Sequence, residues 1–349
     1  MVDWSLARQI ARFAAGNADA PTYDLELDAR VRNAQAQVMG YTGIEPEEPL
    51  PAPEAVDRPE WADVNLDGIA GLLTPVTDRL EARLGSAGPL SGPLRMAAGA
   101  TLAAEAGLVV GYMSQRVLGQ YELSLLQPDV KPRLLFVAPN LANAVRDLNV
   151  DRDSFLDWIV FHELTHALQF VGAPWLREHL GGLLNEYLST VDVKFERGAA
   201  GGLPSLPNIP RLVELFREGG LAALVQTRQQ RSIMDRVQAT MAVVEGHAEH
   251  VMDVVGEQAL PHYDGLREAM QRRRRSRSTP ERLLQKLLGM EMKMRQYEEG
   301  KAFCDAVVAD RDIAALNRVW EGPQALPSLH ELRDHRAWLS RMEAPAEAA

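Results

Sequence analysis

Residues 151–172 run Asp151-Arg152-Asp153-Ser154-Phe155-Leu156-Asp157-Trp158-Ile159-Val160-Phe161-His162-Glu163-Leu164-Thr165-His166-Ala167-Leu168-Gln169-Phe170-Val171-Gly172. Apolar residues at 155, 156, 159, 160, 164, 167, 168 and 171 keep a period near 3.6, and cap-forming and acidic residues stand at the front. The pattern predicts a helix ending near Gly172-Ala173-Pro174. Inside it His162 to His166 reads H-E-x-x-H. Positions i and i+4 lie on one helix face, so His162 and His166 can present two imidazoles to one metal ion. Glu163 is placed to take a proton from a water that the metal activates. Two neutral nitrogens with a carboxylate beside them suit zinc, Zn2+, in a hydrolytic site. A chance match or a pair of structural core histidines is the bland alternative, and the helical context argues against it.

Composition narrows the classes. The 349 residues suffice for a large core and one or two domains. The formal charge of −11 argues against a nucleic-acid binder, which needs surplus Lys and Arg. The basic run Arg272 to Arg275 with Arg277 reads as a solvated helix end. With one cysteine, Cys304, no intrachain disulfide can form, and nothing points to an oxidising compartment. Met1 to Gly16 lacks a signal peptide's apolar core and reads as an amphipathic helix. Met96 to Met113 is the one long apolar stretch. It holds Glu105 and several glycines, and so reads as a tightly packed helix rather than a membrane span. The expected location is the cytoplasm.

The expected fold is mainly α with a small β-hairpin or sheet. An N-terminal helical segment covers residues 1–43, with its helical piece at about 3–38. A linker at 44–59 carries five prolines. The main domain spans 60–342, and 343–349 is a disordered tail. Helices are expected at about 60–84 and 93–114. Two β-leaning runs, Arg116 to Leu126 and Arg133 to Ala138, flank the turn signal Gln127 to Pro132 and predict a hairpin. Beyond the motif, a Gly/Pro-rich loop at Ala199 to Pro210 precedes helices at about 211–227, 229–256, 262–275, 280–309 and 328–342.

A catalytic zinc takes three protein ligands and keeps a position for water. Glu245 is the leading third ligand. It stands in Val244-Glu245-Gly246-His247-Ala248-Glu249-His250 after the apolar run Met241 to Val244, where an unpartnered carboxylate would be costly. On a helix Glu245, Glu249 and Asp253 share a face, so Glu249 or Asp253 could accept the free N–H of a ligating histidine. Gly246 would let that helix approach the motif helix closely. Glu186, in Asn185-Glu186-Tyr187-Leu188, is the alternative third ligand, and His179 a weaker one.

Glu-Gly-x-Ala-Glu after H-E-x-x-H resembles the gluzincin side of the zincins, in which the first of those glutamates is the third ligand. More specifically, the chain is similar to a bacterial zincin-like family labelled as hydrolases or as associated with biosynthesis of the deazaflavin coenzyme of actinobacteria. The resemblance rests on Asp57 to Trp61 with Asn65, Val117 to Tyr121, Phe136 to Asn140, His162 to His166 with Gln169-Phe170 and Pro174 to Leu176, Glu245 to Asp253, and Gly289 to Phe303. It implies a zincin-like metallohydrolase fold and a metal-dependent hydrolase, without a substrate.

Lys293, Gln296, Tyr297 and Gly300 form one polar stripe at helical spacing. It reads as a solvated face or as a cleft wall with Tyr297 donating to an oxyanion. His247, His250, His330 and His335 are further possible donors, each more naturally structural. The expected activity is hydrolysis of an amide bond in a peptide or small amide, with Leu134 to Val137 offering a sheet edge to an extended substrate. The rival expectation is a zincin-derived binding or scaffold protein whose metal is structural. Oligomeric state is not legible.

Overall fold

The computed structural model describes residues 2–16, 24–84, 91–127, 129–190, 227–275 and 290–344. The loop expected at 199–210, most of the helix expected at 211–227, the start of that at 280–309 and residues 345–349 of the tail lie outside the described residues. Two compact units are present, and their described parts fall within Met1–Arg30 and Pro51–Ile159 for the first, and Val31–Leu50, Val160–Val191 and Pro207–Ala349 for the second.

The first unit is built on helices α1 (Trp4–Ala15), α3 (Arg58–Leu84) and α4 (Ser91–Ser114), a three-stranded sheet and α5 (Ala138–Leu148). The stretch Met96 to Met113 lies in α4, packed on α1 through small residues. A Cβ on Gly107 would stand 2.5 Å from the Ala7 carbonyl oxygen, and one on Gly111 2.6 Å from that of Ala11. The absent side chains are what let the two helices meet backbone to backbone. Among the described residues no helix is long and apolar enough to cross a membrane.

In the sheet, β3 (Arg133–Val137) lies between β1 (Pro53–Val56) and β2 (Gly119–Glu122). β2 and β3 pair antiparallel, with Gly119 opposite Phe136, as the hairpin reading expects. β1 runs parallel to β3, Pro53 opposite Leu134 and Val56 opposite Val137. This corrects two expectations. Part of the proline-rich stretch is a sheet strand, and Leu134 to Val137 is a central strand, its backbone engaged on both sides and unable to serve as an edge for substrate. Leu134, Leu135, Phe136 and Val137 are fully buried, as a central strand's residues should be.

Three segments quoted for the family resemblance converge here. Asn140 Nδ2 donates to the carbonyls of Ser114 (2.7 Å) and Val117 (2.6 Å), while Arg58 Nε donates to Asn140 Oδ1 (2.6 Å). Asn65 and Gln120 exchange amide hydrogen bonds of 3.2 and 3.0 Å. The motif helix α6 (Arg152–Gly172) starts as its sequence predicts: Asp151 Oδ1 accepts from Ser154 N at 2.8 Å and from the Ser154 hydroxyl at 2.7 Å. Arg30 clamps its first turns, with 2.6 Å bonds to Asp153 and Asp157.

The second unit is helical. It contains most of α2 (Leu27–Thr42), the second half of α6, α7 (Trp175–Thr190), α8 (Arg228–Ala259), α9 (Tyr263–Arg275), α10 (Met290–Asp310), α11 (Ile313–Asn317), α12 (Leu329–Arg333) and α13 (His335–Glu343). α8, at 32 residues, is the spine. Thr227 opens it with a capping box completed by Gln230. α8 crosses α10 at Gly246 and Gly300, and below the crossing Ala239, Val243, Phe303, Cys304, Val307, Leu316 and Trp338 form one apolar cluster. The helical piece expected at about 3–38 holds α1 and most of α2. The one expected at 328–342 breaks into α12 and α13, because the Asp334 side chain accepts from Ala337 N (3.2 Å) and restarts the helix.

Candidate metal centre

Helix geometry places His162 and His166 one turn apart on α6, with their Nε2 atoms 3.3 Å from each other. Helix α8 brings Glu245, whose Oε2 lies 3.9 Å from His162 Nε2 and 3.7 Å from His166 Nε2. Among the described residues these three form the group of His, Cys, Asp and Glu side chains able to hold a metal ion. Each keeps some exposed surface, so solvent can reach the group: 23% of the side chain for His162 and Glu245, 12% for His166. Zinc bonds of about 2.0–2.2 Å in tetrahedral geometry separate neighbouring donors by about 3.3–3.6 Å. The two nitrogens stand at that spacing, and the carboxylate need close only a few tenths of an ångström. A two-nitrogen, one-oxygen donor set with solvent access fits a catalytic metal better than a closed structural site. Glu163, next to His162, is buried.

Glu186 is placed elsewhere. It lies on α7 with its carboxylate bound to Arg236 Nη2 at 2.5 Å, apart from the histidine pair. His179 packs edge-on against Trp175, and burial lowers its pKa. Glu249, one turn beyond Glu245, is partly exposed. Asp253 lies about two turns beyond Glu245 on α8. It accepts from Tyr263 Oη and pairs with Arg267 and Lys301, each at 3.1 Å. The side chains of Lys293, Gln296 and Tyr297 lie outside the described residues. His335 binds Asp310 at 2.8 Å.

Two residues carry more of the site than sequence reading assigned them. Gln169 sits three residues after His166, hence on the same face of α6, and its Oε1 lies 2.9 Å from His166 Nδ1. Its Nε2 reaches α8, 2.9 Å from the Val244 carbonyl and 3.0 Å from His247 Nδ1. The i+3 spacing was the available signal, weak because an amide at that position is common on any helix. His247 is wholly enclosed. Burial first, then the neighbouring imidazole of His250, pushes its pKa down to about 3. It is therefore a neutral imidazole, not a cationic oxyanion donor.

A second constellation joins α8 to α2 and α10. Tyr41 Oη lies 2.6 Å from His250 Nε2, and His250 Nδ1 lies 2.7 Å from Asp305 Oδ1. Asp305 Oδ2 accepts from Lys301 Nζ at 2.6 Å. Against the cost of burial, the His250 and Lys301 contacts hold Asp305 below the usual carboxylate range. Lys301 is likewise raised by Asp305 and Asp253 despite burial.

Helix α6 with its histidine pair, crossed by a glutamate-bearing helix, is the arrangement of a zincin. Residues 2–339 match the zincin-like metallopeptidase family, and the chain belongs to that family. A protein of Chloroflexus aurantiacus, whose crystal structure is described as that of a candidate hydrolase with a novel fold, is 29% identical and superposes with a TM-score of 0.75, over 99% of this chain and 100% of that one. No curated protein is significantly similar.

Proposed function

We propose that this protein is a zinc-dependent hydrolase of amide bonds, with a peptide or small amide as substrate. The observation that carries the reading is the convergence of His162 Nε2, His166 Nε2 and Glu245 Oε2 on one point open to solvent. Zinc held by these three residues supplies a Lewis acid that polarises the scissile carbonyl and acidifies water. Glu163 removes a proton from the attacking water as its oxygen adds to the carbonyl carbon. The same carboxyl returns that proton to the amine nitrogen as the C–N bond breaks. Glu249, on the face of α8 that carries Glu245, remains our candidate acceptor for the free N–H of His162. Tyr297 is our candidate donor to the oxyanion. The negative net charge disfavours nucleic acid as a substrate. Cytoplasmic residence accords with a single, buried cysteine.

The test is a digest of broad peptide and amide libraries by wild-type protein and by Glu163→Gln. The variant keeps the shape of the side chain and lacks the base. Cleavage by wild type that drops at least ~10²-fold in Glu163→Gln supports the reading. Equal turnover, or no cleavage by metal-loaded wild type, overturns it and leaves a scaffold with a structural metal.

A further inference from the structure

We propose that Gln169 is a positioning residue: it sets the tautomer and ring orientation of His166 through a one-way hydrogen-bond relay that runs from the ligand ring to the buried His247. The inference rests on the reading of the triad as a metal centre. An amide's oxygen and nitrogen ends are told apart only by their partners. Here the partner decides. The Val244 carbonyl, 2.9 Å from Gln169, can only accept, so the atom facing it is the NH2 group. The oxygen end is then the one 2.9 Å from His166 Nδ1, and an amide oxygen cannot donate. His166 must carry its proton on Nδ1. Its lone pair is left on Nε2, the atom that faces His162 and Glu245.

The second hydrogen of the same NH2 group points to His247 Nδ1 at 3.0 Å, so that nitrogen is the acceptor. His247, without exposed surface, is neutral and holds its proton on Nε2. That Nε2 is buried without a well-formed hydrogen bond, as is Asn317 Oδ1, the oxygen it faces. The Asn317 amide is oriented by the same logic, since its Nδ2 donates to the Thr42 carbonyl at 2.5 Å. The donors therefore point one way, from His166 into Gln169, and from Gln169 into His247. Reversing any single link would set two donors or two acceptors face to face. Outer partners of this kind fix a ligand imidazole and raise its basicity, and their loss typically weakens metal binding about 10–100-fold. Gln169 also grips the carbonyl next to Glu245 in sequence, so one side chain couples the ring of one ligand to the helix carrying another.

Zinc affinity of wild type, Gln169→Leu and Gln169→Glu, by competition with a chromophoric chelator, tests this. The relay predicts that Gln169→Leu loses about 10–100-fold in affinity. Gln169→Glu keeps an acceptor for His166 Nδ1 and should bind zinc clearly more tightly than Gln169→Leu, although its second oxygen meets the Val244 carbonyl and His247 Nδ1 with no hydrogen to share. A carboxylate cannot donate to Val244, so a role confined to holding the helices together predicts that Glu is as damaging as Leu, and that result overturns the proposal. Long-range 15N–1H correlation spectra of histidine-labelled wild-type protein give a readout independent of any variant's folding. His166 should show the proton on Nδ1 and His247 the proton on Nε2, without metal as well as with it. Opposite assignments sink the relay. Failure of wild type to bind zinc sinks the metal reading instead, while the metal-free spectrum still decides the tautomers.

Discussion

Gly246 and Gly300 stand backbone to backbone: a Cβ on Gly246 would lie 2.2 Å from the Gly300 carbonyl carbon, and one on Gly300 would lie 1.9 Å from the Ala242 carbonyl oxygen. Both obstructing groups are main chain and cannot rotate away. α8 and α10 thus touch without intervening side chains, one residue from Glu245. Gly300→Ala should destabilise the protein by about 1–3 kcal/mol, the usual cost of overpacking, or more if the helices cannot separate. It should also weaken metal binding by shifting the carboxylate. Thermal unfolding and a zinc titration of the same variant check both effects.

Metal content is the first measurement. Metal-replete protein should carry about one zinc per chain, the stoichiometry of a single catalytic site. His162→Ala and His166→Ala should each abolish tight binding, and Glu245→Ala should weaken it strongly. Glu186→Ala, which removes a surface partner of Arg236, should leave it unchanged. Zinc at 100 times its Kd should stabilise wild type by about 2.7 kcal/mol and the histidine variants by nothing.

The Lys301–Asp305 pair predicts a pH window. Asp305 is held below its ordinary value, so its contribution is present above the usual carboxylate range and lost as pH falls through the lowered value. Lys301 is held above its ordinary value, so its contribution is present below the usual lysine range and lost only as pH rises through the raised value. Between those limits, Lys301→Met should cost about 1 kcal/mol, because the Asp305 side chain is 46% exposed and solvent screens the pair. As pH falls through the lowered Asp305 value, the difference should shrink. Urea unfolding of the pair at pH 7 and at successively lower pH shows whether it does.

Cys304 offers a probe of opening. Its thiol has no exposed surface, and burial with the nearby Asp305 charge raises its pKa, so the native protein should resist thiol reagents at neutral pH. Modification should proceed at the rate at which the α8–α10 core opens, and bound zinc should slow it. Labelling as fast as that of a free thiol would contradict the packing described.

The parts of this molecule legible in sequence are those whose signal is local and repeated. α6 announces itself by period and cap, and α8 by its apolar run. The hairpin shows through its proline-bearing turn. β1 escaped because four residues that include a proline and a glutamate carry no strand pattern, and only pairing with Leu134 to Val137 makes them one. For the same reason β3 looked like an edge. That Glu245 rather than Glu186 stands beside the histidines depends on which helix packs where, and each glutamate alone fits the ligand chemistry. Gln169 was invisible as a partner because its role needs two long-range neighbours, Val244 and His247, as well as the local one.

The spacing of the triad along the chain bears on how it is filled in a cell. The histidine pair is synthesised first, and Glu245 follows 79 positions after His166. At ~5–20 residues per second that is about 4–16 s of translation. Even then α8 has no α10 to lean on until residue 310 has been made. Until then the chain can offer an ion only two imidazole nitrogens, so a three-donor metal site would form only once the two helices have packed.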